Sequence, residues 1–223
     1  MKSIIKKAII DTIPVLTGYL VLGMGFGIIM KTNGYSVFTA FIMSLIIYAG
    51  SMQYVAIGLL ASGASLLTVA LTTFMVNARH IFYGISMFNR YKDIDKRKPY
   101  LIFTLTDETY SLLCNENTEM SLQDKNNYYF LVSLFNHIYW VSGSVLGALV
   151  GSLIKFSTEG FEFALTALFV TVFVEQWLST KNHQPTCIGL FISIICLVIF
   201  GSEHFLIPTM LGITIVLCLG KEA

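Results

Sequence analysis

The sequence predicts an all-α polytopic membrane protein with about seven (six to eight) transmembrane segments. Three observations predict it. Only 12% of the 223 residues are charged and 55% are hydrophobic, about half the charge of a soluble domain, and the mean hydropathy is +0.73. The charges fall in clusters at residues 2–11, 90–98, 107–125 and 155–162. The apolar runs between them approach the ~20 helical residues that a bilayer core requires. A soluble enzyme, a nucleic-acid binder and a secreted disulfide module are excluded on the same grounds. The net charge of +1 points to no partner.

Segment 1, about 8–30, follows Lys2, Lys6 and Lys7. Asp11 interrupts its apolar stretch and no small-residue cleavage site follows, so it reads as a retained helix rather than a signal peptide. Segment 2, about 36–60, carries Gly50-Ser51 in its middle. Segment 3, about 64–88, leads into the basic loop of Arg90, Lys92, Lys96, Arg97 and Lys98. Segment 4, about 100–114, is short and contains Asp107 and Glu108. Segments 5 and 6 run over about 128–154 and 163–180. The last stretch, about 186–219, reads as two short pieces separated by Gly201, Glu203, His204 and Pro208. Cys114, Cys187, Cys196 and Cys218 form no C-x-x-C pair and read as small hydrophobes. No metal site or cofactor is expected.

Sidedness gives two conflicting signals. Basic residues favour the cytoplasmic side, yet three full spans would put the N-terminal lysines and the 90–98 loop on opposite faces. Either segment 2 is not a simple span or the N-terminal lysines are outweighed.

The chain also reads as a duplication. At an offset of 123–124, Gly23 and Gly27 fall on Gly147 and Gly151, Gln53 on Gln176, Arg79-His80 on Glu203-His204, and Gly84 on Pro208. A single transmembrane domain over 1–223 then has one half at 8–90, a connecting region at 91–127 and a second half at 128–219. Segments 1–3 and 5–7 would be copies, inverted if segment 4 does not fully cross and parallel if it does. Gly-x-x-x-Gly lets two helix backbones approach closely in lipid, so segments 1 and 5 are expected to pack through Gly23, Gly27, Gly147 and Gly151.

Ionisable groups inside a bilayer are costly unless paired or wetted, which marks them as candidates. Asn77 and His80 share a helical face with Gly84, while Arg79 points about 100° away. Arg79 is placed to bind a ligand carboxylate, or to pair with Glu203 of the other copy. Gly50-Ser51 permits local unwinding that would expose backbone amides, and Gln53 adds a donor and an acceptor. Secondary candidates are His137, Glu175, Gln176, Glu203 and His204. For His137 an aromatic-belt position is the simpler reading, and for Glu175 a headgroup position beside Trp177.

These residues resemble a known family. The stretches Ile47-Tyr48-Ala49-Gly50-Ser51-Met52-Gln53, Asn77-Ala78-Arg79-His80-Ile81-Phe82-Tyr83 and Leu105-Thr106-Asp107-Glu108 resemble those of the AzlC family. So do Asn136-His137-Ile138-Tyr139-Trp140 and Phe163-Ala164-Leu165-Thr166-Ala167-Leu168-Phe169. The sequence departs from the family pattern at Ala78, where leucine is usual, and at Ser51, where alanine is usual. The resemblance implies the large subunit of a bacterial branched-chain amino acid exporter, for leucine, isoleucine and valine with methionine as a further candidate. It also implies a small AzlD-type partner of about four helices, a multi-pass place in the cytoplasmic membrane, proton-motive force as the energy source and no enzyme activity. The alternative is a non-transporting accessory subunit. No Gly-x-Ser-x-Gly or His-Glu-x-x-His motif favours an intramembrane enzyme.

On that reading the substrate residues are Gly50, Ser51, Gln53, Asn77, Arg79 and Tyr83. The substrate carboxylate would lie at Gly50-Ser51 beside Arg79, and the ammonium near Gln53, Asn77 or a carboxylate such as Glu108. Proton coupling falls to His80 first, whose ordinary pKa lies near 6.5, then to Glu108, with Asp107 beside it.

Overall fold

A computed structural model describes residues 2–114, 120–153, 170, 173–174, 177–178 and 182–219. Among the described residues there are ten helices and no strand. The chain forms two compact units, residues 1–161 and 162–223.

In the first unit α1 (Lys2–Thr32) is an unbroken helix of 31 residues despite Pro14. It is about 46 Å long at 1.5 Å per residue, well beyond the ~30 Å hydrocarbon core. Its charged beginning is tied down rather than frayed. Lys7 pairs with Asp11 at 2.7 Å, and the Tyr128 hydroxyl donates to the same carboxylate at 2.6 Å. Tyr128 lies on α8 (Leu122–Leu153), which starts some six residues before the expected segment 5. The reason is a cap: Ser121 Oγ accepts from the Asp124 amide at 3.2 Å, so the polar turn over Asp124 and Lys125 is helical too.

Helices α1 and α8 form the main packing contact of this unit, and it runs through the expected glycines. A Cβ on Gly23 would stand 2.9 Å from the Ser144 nitrogen and 3.0 Å from the Trp140 carbonyl oxygen. One on Gly27 would run into the Ser144 carbonyl and the Ala148 amide. One on Gly147 would meet the Met24 backbone, and one on Gly151 would lie 3.3 Å from Ile28 Cα. Backbone therefore lies against backbone, as Gly-x-x-x-Gly packing requires.

Segments 2 and 3 are not single unbroken helices. They consist of α2 (Val37–Ile46), α3 (Gly50–Ala61), α4 (Leu66–Asn77) and α5 (Arg79–Met87). Ser36 and Ser65 cap α2 and α4 by accepting from the amides of Thr39 and Thr68. Each piece has 9 to 12 residues, about half the length that crosses a bilayer. Segment 4 is likewise two pieces, α6 (Lys98–Phe103) and α7 (Asp107–Cys114).

In the second unit α9 (Gln184–His204) and α10 (Leu206–Leu219) pack together. The sequence suggested two short pieces here, but Gln184–Gly201 alone has 18 residues with hydropathy 2.1, enough to cross a membrane. The other described helices long and apolar enough are Ser3–Thr32 of α1 and Leu122–Leu153. The break comes at Gly201, whose φ of 71° lies in the left-handed region that glycine adopts without penalty.

Candidate functional site

The expected opening near Gly50 lies just before it, at residues 47–49. Tyr48 has φ of 44°, and Ala49 has φ of −132° and ψ of 80°. A tyrosine in the left-handed region costs roughly 1–3 kcal/mol and needs support from its surroundings. That support is dense. The Tyr48 ring lies 4.4 Å from the His137 ring and 6.2 Å from that of Phe103. His137 in turn donates from Nε2 to the Leu45 carbonyl at 3.2 Å, near the end of α2. In the neutral ring this leaves Nδ1 to accept from the Tyr100 hydroxyl at 3.0 Å. His137 is buried at 7% exposure, so it braces the break from inside the bundle instead of sitting in an aromatic belt.

Trp140 supports the start of α3. A Cβ on Gly50 would stand 3.1 Å from Trp140 Cη2, so glycine is what lets the chain cross the indole face. Trp140 Nε1 donates to Gln53 Oε1 at 2.9 Å, and Gln53 Nε2 donates to Ser44 Oγ at 3.2 Å. Gln53 is fully buried and ties α3 to α2 and α8, with each end of its amide engaged inside the protein. Trp140→Phe would leave Gln53 Oε1 buried and unpaired, a loss of about 1–3 kcal/mol. The expected outcome is a lower midpoint of thermal unfolding in detergent. An unchanged midpoint would mean that this bond adds nothing to stability.

Three helix beginnings meet at Arg79. It opens α5, immediately after Ala78 interrupts the α4–α5 run. Its Nη1 pairs with Asp107 Oδ2, and its Nη2 donates to Ser51 Oγ at 3.0 Å. Among the described residues the partner of Arg79 is thus Asp107, at the start of α7. Arg79 Nε and Asp107 Oδ1 are both buried and have no hydrogen-bond partner among the described residues.

Next to Asp107, Glu108 Oε2 accepts from the Tyr19 hydroxyl of α1 at 2.6 Å. Tyr19 Oη also lies 2.7 Å from Thr106 Oγ1, and Thr106 Oγ1 donates to Thr109 Oγ1 at 3.1 Å. Asn136 Nδ2 of α8 donates to Thr109 Oγ1 at 3.0 Å. Thr109 and Asn136 are fully buried. The result is a chain of hydroxyls that runs from a carboxyl on α7 into the α1–α8 core.

The other sequence candidates lie around this centre. His80 Nδ1 donates to the Asn77 carbonyl at 3.0 Å, and its ring meets Tyr83 edge-on at 5.7 Å. Tyr83 stacks on Tyr110 of α7 at 4.5 Å. The backbones of Glu203 and His204 belong to the end of α9, while their side chains lie outside the described residues. Glu175 and Gln176 also lie outside them. Sequence reasoning missed Tyr19, Ser44, Tyr48, Thr106 and Thr109 as parts of the site. Tyr19 had a signal: it stands four residues before Gly23 and eight before Gly27, on the same helical face.

Interrupted helices that bring charged and titratable groups together inside a membrane bundle define a multi-pass helical membrane protein with an internal polar site. The particular family follows from comparison with known proteins: the chain belongs to the AzlC family, which matches residues 14–154 under the description AzlC protein. It is 44% identical over 208 residues to the branched-chain amino acid transport protein AzlC of Bacillus subtilis (strain 168), covering 93% of this chain and 82% of that one. It is 43% identical over 217 residues to an uncharacterized membrane protein of Helicobacter pylori (strain 26695), covering 97% and 95%. The inner membrane protein YgaZ of Escherichia coli (strain K12) is 29% identical over 181 residues, covering 80% and 74%. No solved structure matches the chain.

Proposed function

We propose that this chain is the transporting subunit of a secondary exporter for branched-chain amino acids in the bacterial cytoplasmic membrane. It would work with a small AzlD-type membrane partner and be driven by protons, without enzyme activity. The observation that carries the reading is the Arg79–Asp107 pair reaching Ser51 at the start of a broken helix. The printed name of the Bacillus subtilis relative supports the substrate class. An aliphatic pocket separates substrates differing by one methylene by only about 1–3 kcal/mol, so several branched side chains would be accepted.

The hydroxyl chain supports Glu108 as the proton carrier. With Glu108 ionised, Tyr19 donates to it. With Glu108 protonated, Glu108 donates to Tyr19, Tyr19 to Thr106 and Thr106 to Thr109, at the same oxygen separations. One proton can thus be accommodated by turning hydroxyls. His80 is the second candidate, as an imidazole beside Tyr83 near the start of α5.

One observation favours the duplicated architecture: Gly23 and Gly27 pack against Gly143 and Gly147, within the run that the offset pairs them with. Gly50, Ser51, Asn77, Arg79 and Tyr83 stay in the substrate half of the proposal, and Gln53 acts there through the helix it fixes.

The test is efflux of labelled leucine from preloaded cells carrying this chain alone, the chain with its small partner, or neither. Efflux only with both supports the two-component exporter, and efflux with the chain alone removes the partner from the proposal. Equal efflux in every arm overturns the reading. Glu108→Gln should abolish stimulation by an imposed pH gradient, at least a tenfold loss, while leucine exchange between equal pools survives. Retained stimulation would move the proton role to His80.

A further inference from the structure

We infer that the end of the first unit where α1 and α8 begin is a basic platform bound to the anionic headgroups of the cytoplasmic leaflet. The start of α1 and the 90–98 loop then both face the cytoplasm. This rests on the cytoplasmic-membrane placement proposed above and on none of the substrate or proton assignments. The two basic clusters conflict in the sequence, and the packing brings them to one place. Ala8 of α1, Tyr91 of the basic loop, and Tyr128 and Tyr129 of α8 share one apolar cluster, with Ile4 and Ile94 packed on it. Arg97 of the loop donates from Nη1 to Asn127 Oδ1 of α8 at 2.9 Å. Lys7 lies 4.9 Å from the centre of the Tyr128 ring, and Lys125 lies 5.4 Å from that of Tyr129.

Helices α1 and α8 run in the same direction. Asp11 accepts from Tyr128, a Cβ on Gly23 would stand 2.9 Å from the Ser144 nitrogen, and one on Gly151 would stand 3.1 Å from Lys31 Cβ. That order rises along both helices. Their far ends carry little positive charge: the last turn of α1 has Lys31, and that of α8 has no basic residue. At the near end Lys7 and Arg97 are already paired, with Asp11 and Asp95. Lys6, Lys92 and Lys96 are exposed, and no carboxylate among the described residues pairs with them. These cations ring the beginnings of two helices long enough to cross a membrane. They therefore emerge at headgroup depth, where lipid phosphates are the anions within reach and basic residues stay on the cytoplasmic side. Tyr19 stands twelve residues from Lys7 and twelve from Lys31, about 18 Å of helix each way. The Tyr19–Glu108 bond then lies near the middle of the bilayer.

The first experiment labels single cysteines with a membrane-impermeant maleimide, the four native cysteines being replaced by serine. In spheroplasts Asn33→Cys should react, and Ser3→Cys and Asp93→Cys should not. In inverted membrane vesicles the pattern should reverse. Ser3→Cys and Asp93→Cys reacting from opposite sides, or both from outside, would overturn the inference. Leucine efflux by the same variants reads the transport proposal separately, since efflux retained with reversed labelling would leave that proposal standing. The second experiment places the purified full chain in nanodiscs of phosphatidylcholine with and without phosphatidylglycerol. The anionic lipid should raise the unfolding midpoint by at least about 3 °C. The triple variant Lys6→Gln, Lys92→Gln, Lys96→Gln should lose most of that rise. No rise in the parent, or an equal rise in the triple variant, would overturn the inference.

Discussion

Gly27→Leu is expected to abolish recovery of folded protein from membranes. At this position any side chain collides with the Ser144 carbonyl and the Ala148 amide, with the Gly147 carbonyl carbon 2.9 Å away. These are backbone atoms inside a helix, so no rotamer change can make room. Overpacking a core costs about 1–3 kcal/mol where side chains can yield, and here they cannot. Total stability of a domain is only about 5–15 kcal/mol. The α1–α8 contact would have to separate, and it is the main packing of the first unit. Gly18→Ala is the control. A Cβ there meets nothing within 4 Å, so stability should hold or rise by up to ~1 kcal/mol. Monodispersity and unfolding midpoint in detergent read both. A Gly27→Leu protein as stable as the parent would contradict the close packing of these helices.

Arg79→Ala should lower leucine transport at least a hundredfold, roughly 2.8 kcal/mol at 1.4 kcal/mol per tenfold. It should also destabilise the protein, because Asp107 would lose its counter-charge while keeping one oxygen already without a partner. The two effects separate in a double variant. Arg79→Ala with Asp107→Ala removes both charges, so the unfolding midpoint should recover most of the loss while transport stays absent. Arg79→Lys keeps the charge but not the fork that reaches Asp107 and Ser51 together, so an intermediate loss of about tenfold is expected. Transport restored in the double variant would make the pair purely structural.

The seam of Gly23, Gly27, Gly147 and Gly151 was legible in the sequence because close helix packing in lipid calls for one residue type at one spacing. The interruption near Gly50 was legible for a similar reason. Its position was not: the chain breaks at Tyr48, a residue whose intrinsic preference argues against a left-handed backbone and which is held there by His137 and Phe103 from distant segments. Gln53 looked available because a membrane amide needs partners, but the partners were Trp140, 87 positions away, and Ser44. Arg79 was recognised as needing a carboxylate. That Asp107 meets it depends on how the short helices fold back, and hydropathy does not encode that. Thr106 and Thr109 flank Asp107-Glu108 in the sequence, but Tyr19 lies 87 positions from Thr106, so only the fold brings the three hydroxyls into line.

Lipid tails solvate any apolar helix face equally well, so hydrophobicity alone gives α8 no angular preference against α1. The glycine seam supplies one. Turning α8 by a single residue, about 100°, would bring a side chain against the backbone of α1 and force the helices apart. Trp140 and Asn136 lie three and seven residues before Gly143, on the same stripe of the helix. Locking the stripe therefore aims the indole at Gln53 and the amide at Thr109. The seam acts as a key in a slot: assembly has one rotational setting, and the polar groups inherit their direction from it.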